Sequence, residues 1–172
     1  MNVLNNCILV FSLFASLTCT TKVNKFEPAS YLGSKIPIPR EVDKISDAPN
    51  KMIVLLDMIT CPSCTLKSLN FWDEDLKYFN ELNQESHNLD IIFIVNTKQD
   101  SDIDASLSRL NSIYPIKVFY DSENRFLKRF TPPVETQYHC FLIDESNFIR
   151  LIGYPYMNQT LKDNYISIVF GS

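Results

Sequence analysis

The chain has 172 residues, a length that suits one domain with a short extension. Its 16 Lys and Arg stand against 20 Asp and Glu, and the resulting net charge of −4 argues against nucleic-acid binding. Its 3 glycines are too few for a glycine-rich loop that holds a phosphate, so nucleotide-dependent chemistry is not expected.

Residues 1–18 contain no charged side chain, and their apolar run from Cys7 to Leu17 is too short to cross a bilayer. A run of this length is typical of the core of a signal peptide. The residues before Cys19 are similar to the end of a bacterial lipoprotein signal, where the cysteine becomes the acylated first residue. We therefore expect a lipoprotein signal peptide over residues 1–18 and lipidation of Cys19. A cleaved, soluble periplasmic protein and an uncleaved anchor are the alternatives.

Prolines interrupt residues 19–50 repeatedly, so no long helix or strand is expected there. This stretch predicts a tether that leads into a short extended segment around Lys35 to Ile38. The domain proper is predicted over residues 51–172.

Two unbroken apolar runs, Met52–Leu56 and Ile91–Val95, predict strands that are covered on both faces at the centre of a sheet. Between them, apolar side chains recur every three or four residues, which predicts one helix from about Pro62 to Glu85 with a single buried face. These side chains are Leu66, Leu69, Trp72, Leu76, Phe79 and Leu82. Strand, helix and strand in this order form a right-handed crossover with parallel strands, so the fold class is α/β.

Residues 100–102 are capping candidates for a second helix. The side chains expected to face inward from that helix are Ile103, Leu107, Leu110 and Ile113. A strand is expected at Ile116–Tyr120, followed by an antiparallel hairpin of Tyr138–Ile143 and Phe148–Ile152. A last helix over about 158–169 is expected to be buried through Leu161, Tyr165 and Ile168. The whole pattern predicts a central sheet of four or five strands with helices on both faces.

The motif Cys61-Pro62-Ser63-Cys64 directly follows the first central strand and opens the long helix. At a helix N-terminus, unpaired backbone N–H groups and the positive end of the dipole stabilise a thiolate and lower the pKa of a cysteine from about 8.5 to roughly 3.5–7.5. Cys61 is therefore the expected nucleophile. Cys64, one turn further along and more deeply buried, is expected to attack a mixed disulfide formed at Cys61 and to release the reduced partner.

This order of strand, CxxC motif and helix, with a βα unit and a terminal hairpin and helix after it, resembles the thioredoxin superfamily. The resemblance covers about residues 50–170 and is to envelope thiol-disulfide oxidoreductases of the TlpA type, such as those of Bacteroidetes-like lipoproteins. Besides the CxxC motif it is carried by Tyr114–Asp121 and by Phe141–Asp144 with the residues that follow. It implies a thioredoxin-like fold and an enzyme that exchanges disulfides with client proteins and with an envelope electron donor or acceptor. No cofactor and no metal are expected.

Members of this family usually carry a cis-proline directly before the strand that begins here at Phe141, where it shapes the client groove opposite the CxxC motif. Aligning on Phe141 places Tyr138 in that position. The resemblance therefore implies a client groove formed by Pro62, Ser63, Gln137 and Tyr138.

Two other functions stay open. The first is a non-catalytic thioredoxin-fold binding module that presents the Tyr138 loop to a partner. The second is copper delivery with Cys61, Cys64 and either His139 or Cys140 as soft ligands. Cys140 is otherwise expected to be a small buried hydrophobe, with a regulatory or resolving thiol as the alternative. In the main interpretation the protein is a lipid-anchored monomer of the bacterial cell envelope that faces the periplasm or the cell surface.

Overall fold

The computed structural model describes residues 27–97 and 100–171. The predicted signal peptide over residues 1–18 and the predicted lipidation site Cys19 lie outside the described residues. The strands are β1 (Asn50–Leu56), β2 (Leu89–Val95), β3 (Lys117–Tyr120), β4 (Cys140–Ile143) and β5 (Ile149–Ile152). The helices are α1 (Arg40–Asp43), α2 (Pro62–Ser68), α3 (Trp72–Asn83), α4 (Ser101–Asn111) and α5 (Gln159–Phe170). Within this part of the chain, no helix is both long and apolar enough to cross a membrane.

The five strands form one mixed sheet in the order β3-β2-β1-β4-β5. β1 pairs in parallel with β2, β2 pairs in parallel with β3, and β4 and β5 run antiparallel to their neighbours. Met52 at the centre of β1 lies opposite Ile91 on one side and Leu142 on the other. The two unbroken apolar runs are thus central strands, and the predicted α/β fold with its crossover and hairpin is confirmed.

Successive side chains of the central strands alternate between two hydrophobic clusters, one on each face of the sheet. The first cluster packs β1 and β2 against α3, α4 and α5 and includes Val54, Phe93, Trp72, Leu107 and Tyr165. The second cluster is covered by α1 and by the turns after β3 and includes Ile53, Ile92, Val42, Phe126 and Phe130. The four longer helices therefore share one face, and the other face carries only the short α1 and irregular chain among the described residues.

The predicted helix over residues 62–85 is divided in two. α2 ends at Ser68, a 3₁₀ turn occupies Leu69–Phe71, and α3 begins at Trp72. A 3₁₀ turn aligns side chains three residues apart, so Leu69 and Trp72 are both fully buried. In α5 the inward side chain near the end is Val169, and the predicted Ile168 is 38% exposed.

The segment before β1 covers the outer edge of β5. Lys35 forms an isolated antiparallel bridge with Phe148, and the backbone N–H of Gly33 donates to the carbonyl of Ile149 at 2.9 Å. Ile36 is fully buried in the second hydrophobic cluster. Residues of the stretch that was predicted to be a tether therefore contribute to the core of the domain.

Candidate redox site

The CxxC motif lies where the central strand β1 ends and α2 begins. A loop of residues 57–60 leads to Cys61, which caps α2, and Pro62 follows at the first helical position, where no N–H is needed. Cys61 and Cys64 are joined by a disulfide with their Cα atoms 5.3 Å apart. The Ser63 hydroxyl oxygen lies 3.8 Å from the Cys61 sulfur. The two cysteines that the motif predicts to be a redox pair are therefore paired.

The predicted order of burial within this pair is wrong. Cys61 is half-buried and Cys64 is exposed. The reason is the shortness of α2, which buries no side chain, so the chain enters the core only at Leu69. Both sulfurs consequently lie close to the surface of the protein.

Three polar side chains anchor the loop before Cys61. The Asp57 carboxylate accepts hydrogen bonds from the backbone N–H groups of Ile59 and Thr60 at 3.0 and 3.1 Å. The Asn96 amide, which follows β2, donates to the same carboxylate at 3.0 Å and accepts from a further loop N–H at 2.7 Å. The Thr65 hydroxyl donates to the carbonyls of Asp57 and Cys61. The position of the disulfide is therefore tied to the ends of two central strands.

This hydrogen bonding controls the ionisation of Asp57. Burial alone would raise the pKa of its carboxyl, but the hydrogen bonds from Thr60, Asn96 and Ile59 outweigh burial and lower the pKa from 3.8 to about 2. Asp57 therefore carries a negative charge beside the disulfide at every pH at which the protein is expected to work.

A cavity of about 230 Å³ opens beside the disulfide. Its lining includes both cysteines, Asp57, Thr136, Gln137, His139, Tyr154, Tyr156 and Met157. Of the predicted groove residues, Gln137 lies on this cavity, whereas Pro62 and Ser63 are exposed beside it.

Tyr138 does not line this cavity. It ends the 3₁₀ helix Thr136–Tyr138 and packs against the second hydrophobic cluster on the other face of the sheet. Thr136, Gln137 and His139 line the cavity together with the disulfide, and Tyr138 is not among its lining residues. No cis peptide bond occurs between the residues that the structure describes.

The two residues after Tyr138 differ in their relation to the site. His139 lines the cavity with both cysteines, and its ring atom Nε2 lies 2.8 Å from the carbonyl oxygen of Pro133. The sequence contained one signal for this position, since His139 directly precedes the strand that pairs with β1.

Cys140 is fully buried as a free thiol, with its sulfur 3.5 Å from the Tyr165 hydroxyl. Burial raises the pKa of Cys140 to about 12; the hydrogen bond with Tyr165 opposes this shift, and the nearby charge of Asp75 is a smaller part of it. The prediction of a small buried hydrophobe is confirmed by this burial. Across residues 27–97 and 100–171, no group of three or more His, Cys, Asp or Glu side chains is arranged to hold a metal ion.

No family model matches the chain, and no curated protein matches it. Solved structures do. A candidate DsbE thiol:disulfide interchange protein from Chlorobium tepidum is 13% identical, with 80% of this chain and 97% of that chain covered and a TM-score of 0.53. The thioredoxin domain of a thiol-disulfide oxidoreductase from Bacteroides vulgatus is 11% identical, with the same coverage and a TM-score of 0.52. The chain therefore has a thioredoxin-like fold, and both of these neighbours are named as thiol-disulfide proteins.

Proposed function

We propose that this protein is a thiol-disulfide oxidoreductase that exchanges disulfides with client proteins through Cys61 and Cys64. The observation that carries the proposal is the disulfide itself, which lies near the surface at the end of the central strand and borders a cavity. A disulfide that only braced the fold would not need an adjacent cavity or a surface position. The thioredoxin-like fold of the named neighbours supports the same function.

The exchange proceeds in two steps. In the reduced protein the Cys61 thiolate attacks one sulfur of a client disulfide, so the client S–S bond breaks, a mixed disulfide forms and one client sulfur leaves as a thiolate. Cys64 then attacks the Cys61 sulfur, which closes the Cys61–Cys64 bond and releases the second client sulfur. Each released thiolate takes up a proton, and two electrons pass to the client. An envelope dithiol restores the reduced pair by the reverse exchange.

Large apolar side chains near the disulfide favour proteins over small thiols as clients. Ile59, two residues before Cys61, is 64% exposed, and Met157 on the cavity wall is 37% exposed. Exposed apolar surface beside a reactive group is typical of a site that contacts another chain.

The test is a redox titration of the purified protein in metal-free thiol/disulfide buffers, with alkylation of Cys61 and Cys64 as the readout. A reversible two-electron transition at roughly −120 to −270 mV, the range of known exchange catalysts, is expected. Thiols that stay in one state throughout would contradict the proposal and favour a binding module. Cys140→Ala removes the third thiol of the domain, so this variant is the control for the number of thiols that alkylation detects.

The roles of the two cysteines are tested by trapping. Cys64→Ser is expected to accumulate mixed disulfides with envelope proteins at Cys61. Cys64 is the more exposed of the two residues, so the opposite assignment, in which Cys64 is the attacking thiol, also needs a test. The matched variant Cys61→Ser supplies it. Mixed disulfides that accumulate in Cys61→Ser alone would reverse the two roles.

We also propose that the protein is a monomer held at the envelope membrane by a lipid on Cys19. The support is the similarity of the residues around Cys19 to lipoprotein signals. Cys19→Ala is expected to release the protein from the membrane fraction and to abolish labelling by a fatty acid. Labelling that persists would contradict lipidation, and release without any labelling of the native protein would favour the soluble periplasmic alternative.

A further inference from the structure

The side chain of Asn96 joins the end of β2 to the loop that leads to Cys61. Asn96 directly follows β2 and is 7% exposed. Its side-chain oxygen accepts the backbone N–H of Met58 at 2.7 Å, and its side-chain N–H donates to the Asp57 carboxylate at 3.0 Å. Its backbone N–H donates to the carbonyl of Leu56, the last residue of β1, at 3.3 Å. Asn96 thus bonds three consecutive residues where the chain leaves the sheet.

The two side-chain bonds of Asn96 require an amide. Burial would raise the pKa of the Asp57 carboxyl, but its hydrogen bonds lower it to about 2, so the group is ionised and can only accept. Residue 96 must therefore donate to it. The backbone N–H of Met58 can only donate, so residue 96 must also accept. An aspartate would lose the first bond, and an alkyl side chain would lose both.

Further hydrogen bonds continue this restraint to Cys61. The Asp57 carboxylate accepts the N–H groups of Ile59 and of Thr60, which directly precedes Cys61, at 3.0 and 3.1 Å. From the side of α2, the Thr65 hydroxyl lies 2.7 Å from the carbonyl oxygen of Asp57 and 3.2 Å from that of Cys61. The backbone N–H of Thr65 donates to the same Cys61 carbonyl at 3.1 Å. The backbone at Cys61 is therefore held by contacts other than the disulfide bond.

Restraint of this backbone affects the two redox forms differently. In the disulfide form, the Cys61–Cys64 bond itself restricts the loop. In the dithiol form that bond is absent, and a loop without other contacts would lose conformational entropy each time the bond closes. Hydrogen bonds that already order the loop reduce this loss and raise the effective concentration of one thiol at the other. They therefore favour the disulfide over the dithiol.

We propose that Asn96 is a positioning residue that shifts the redox equilibrium of Cys61 and Cys64 toward the disulfide, an inference that rests on the proposed oxidoreductase function. Asn96 acts through Asp57 and the loop before Cys61. By lowering the reduction potential of the pair, it makes the dithiol a stronger electron donor to client disulfides. The two thiols give up two electrons and two protons as their S–S bond forms, and the client S–S bond takes up both as it breaks.

The test equilibrates the native protein and Asn96→Ala with reduced and oxidised glutathione and measures alkylation of Cys61 and Cys64. In this reaction the protein dithiol loses two electrons and two protons, and glutathione disulfide becomes two glutathione thiols. Loss of the Asn96 amide is expected to lower the equilibrium constant for disulfide formation about tenfold, which raises the midpoint potential by about 30 mV. A midpoint equal to that of the native protein would overturn the proposal.

The matched control is Asn83→Ala, at the opposite end of β2. The Asn83 side chain accepts the backbone N–H of Leu89, the first residue of β2, and donates to its carbonyl, both at 3.0 Å. This amide holds the backbone as that of Asn96 does, but far from the disulfide along the strand. Its loss is expected to reduce stability and to leave the midpoint unchanged. Equal midpoint shifts in both variants would overturn the proposal, because a general loss of stability would then explain them.

A second variant does not depend on the folding of Asn96→Ala. Thr65→Val removes the hydroxyl beside the carbonyls of Asp57 and Cys61 and keeps a branched side chain of similar size. It is expected to raise the midpoint in the same direction. If Asn96→Ala does not fold, an unchanged midpoint in Thr65→Val overturns the proposal. A native protein without any two-electron couple would instead contradict the oxidoreductase function, so the two failures are distinguishable.

Discussion

Lys162 on α5 forms an ion pair with Asp75 on α3, with Nζ and Oδ1 2.6 Å apart. The Asp75 side chain is 5% exposed and that of Lys162 is 21% exposed. The ammonium also lies 4.9 Å from the ring centre of Tyr78. This pair joins the last helix to the helix that follows the disulfide, and it supplies the partner that a buried carboxylate needs.

Lys162→Met is expected to lower the free energy of unfolding by roughly 2–4 kcal/mol, because it leaves a buried carboxylate without its cation. Denaturant titration measures this loss. Lys77→Met, at an exposed position on α3, is the matched control and should change stability little. Adding Asp75→Asn to the Lys162 variant should restore part of the loss, and an equal loss in both lysine variants would contradict this role.

The folded protein should lose the stabilisation from Asp57 in acid. The folded-state pKa of about 2 lies below the ordinary value of 3.8, so this stabilisation is complete above about pH 4 and is lost as pH falls toward 2. Asp57→Asn, which keeps an acceptor oxygen, is expected to reduce the slope of stability against pH in that window. Glu123→Gln, at an exposed carboxyl, serves as the comparison. Identical slopes in the native protein and the Asp57 variant would refute the effect.

Cys140 should be inert in the folded protein. With a pKa raised to about 12 by burial, its thiol is not expected to react with iodoacetamide at about pH 8, while Cys61 and Cys64 react after reduction. Mass spectrometry of native and denatured samples distinguishes the thiols. Cys140→Ala is also expected to leave the midpoint potential unchanged, and a shifted midpoint would revive the resolving-thiol alternative.

Ile36→Ala is expected to cost about 2–4 kcal/mol of stability, because it removes a fully buried side chain from the second hydrophobic cluster. Leu32→Ala, at a position that is 47% exposed, is the matched control in thermal or denaturant unfolding. Equal stability of both variants would mean that the segment before β1 acts only as a tether.

The regular elements could be predicted because their signals are local. The apolar runs at β1 and β2 identify central strands without any tertiary information. The N-cap of α4 was among the residues predicted, since the Asp100 carboxylate accepts the N–H groups of Asp102 and Ile103. The 3₁₀ turn at Leu69–Phe71 could not be predicted from spacing, because side chains three residues apart fit both helix types.

The surroundings of the disulfide depend on tertiary packing, and prediction succeeded less well there. The motif identified Cys61 and Cys64, but their burial depends on where α2 meets the core. The alignment singled out Tyr138, whereas the 3₁₀ turn that contains it presents His139 to the cavity. A one-residue difference of this kind follows from the turn geometry and leaves no trace in composition or periodicity.

The anchoring of the loop before Cys61 has a consequence for its dynamics. The side chain of Ile59 is exposed, yet its amide and those of Met58 and Thr60 are bound by Asp57 and Asn96. Asn96 directly follows the fully buried end of β2. Hydrogen exchange at these amides requires the hydrogen bonds of Asp57 and Asn96 to break first, so these amides should exchange more slowly than those of a frayed surface segment. The loop before Cys61 would then stay rigid during disulfide exchange, and the client protein would be the partner that changes conformation.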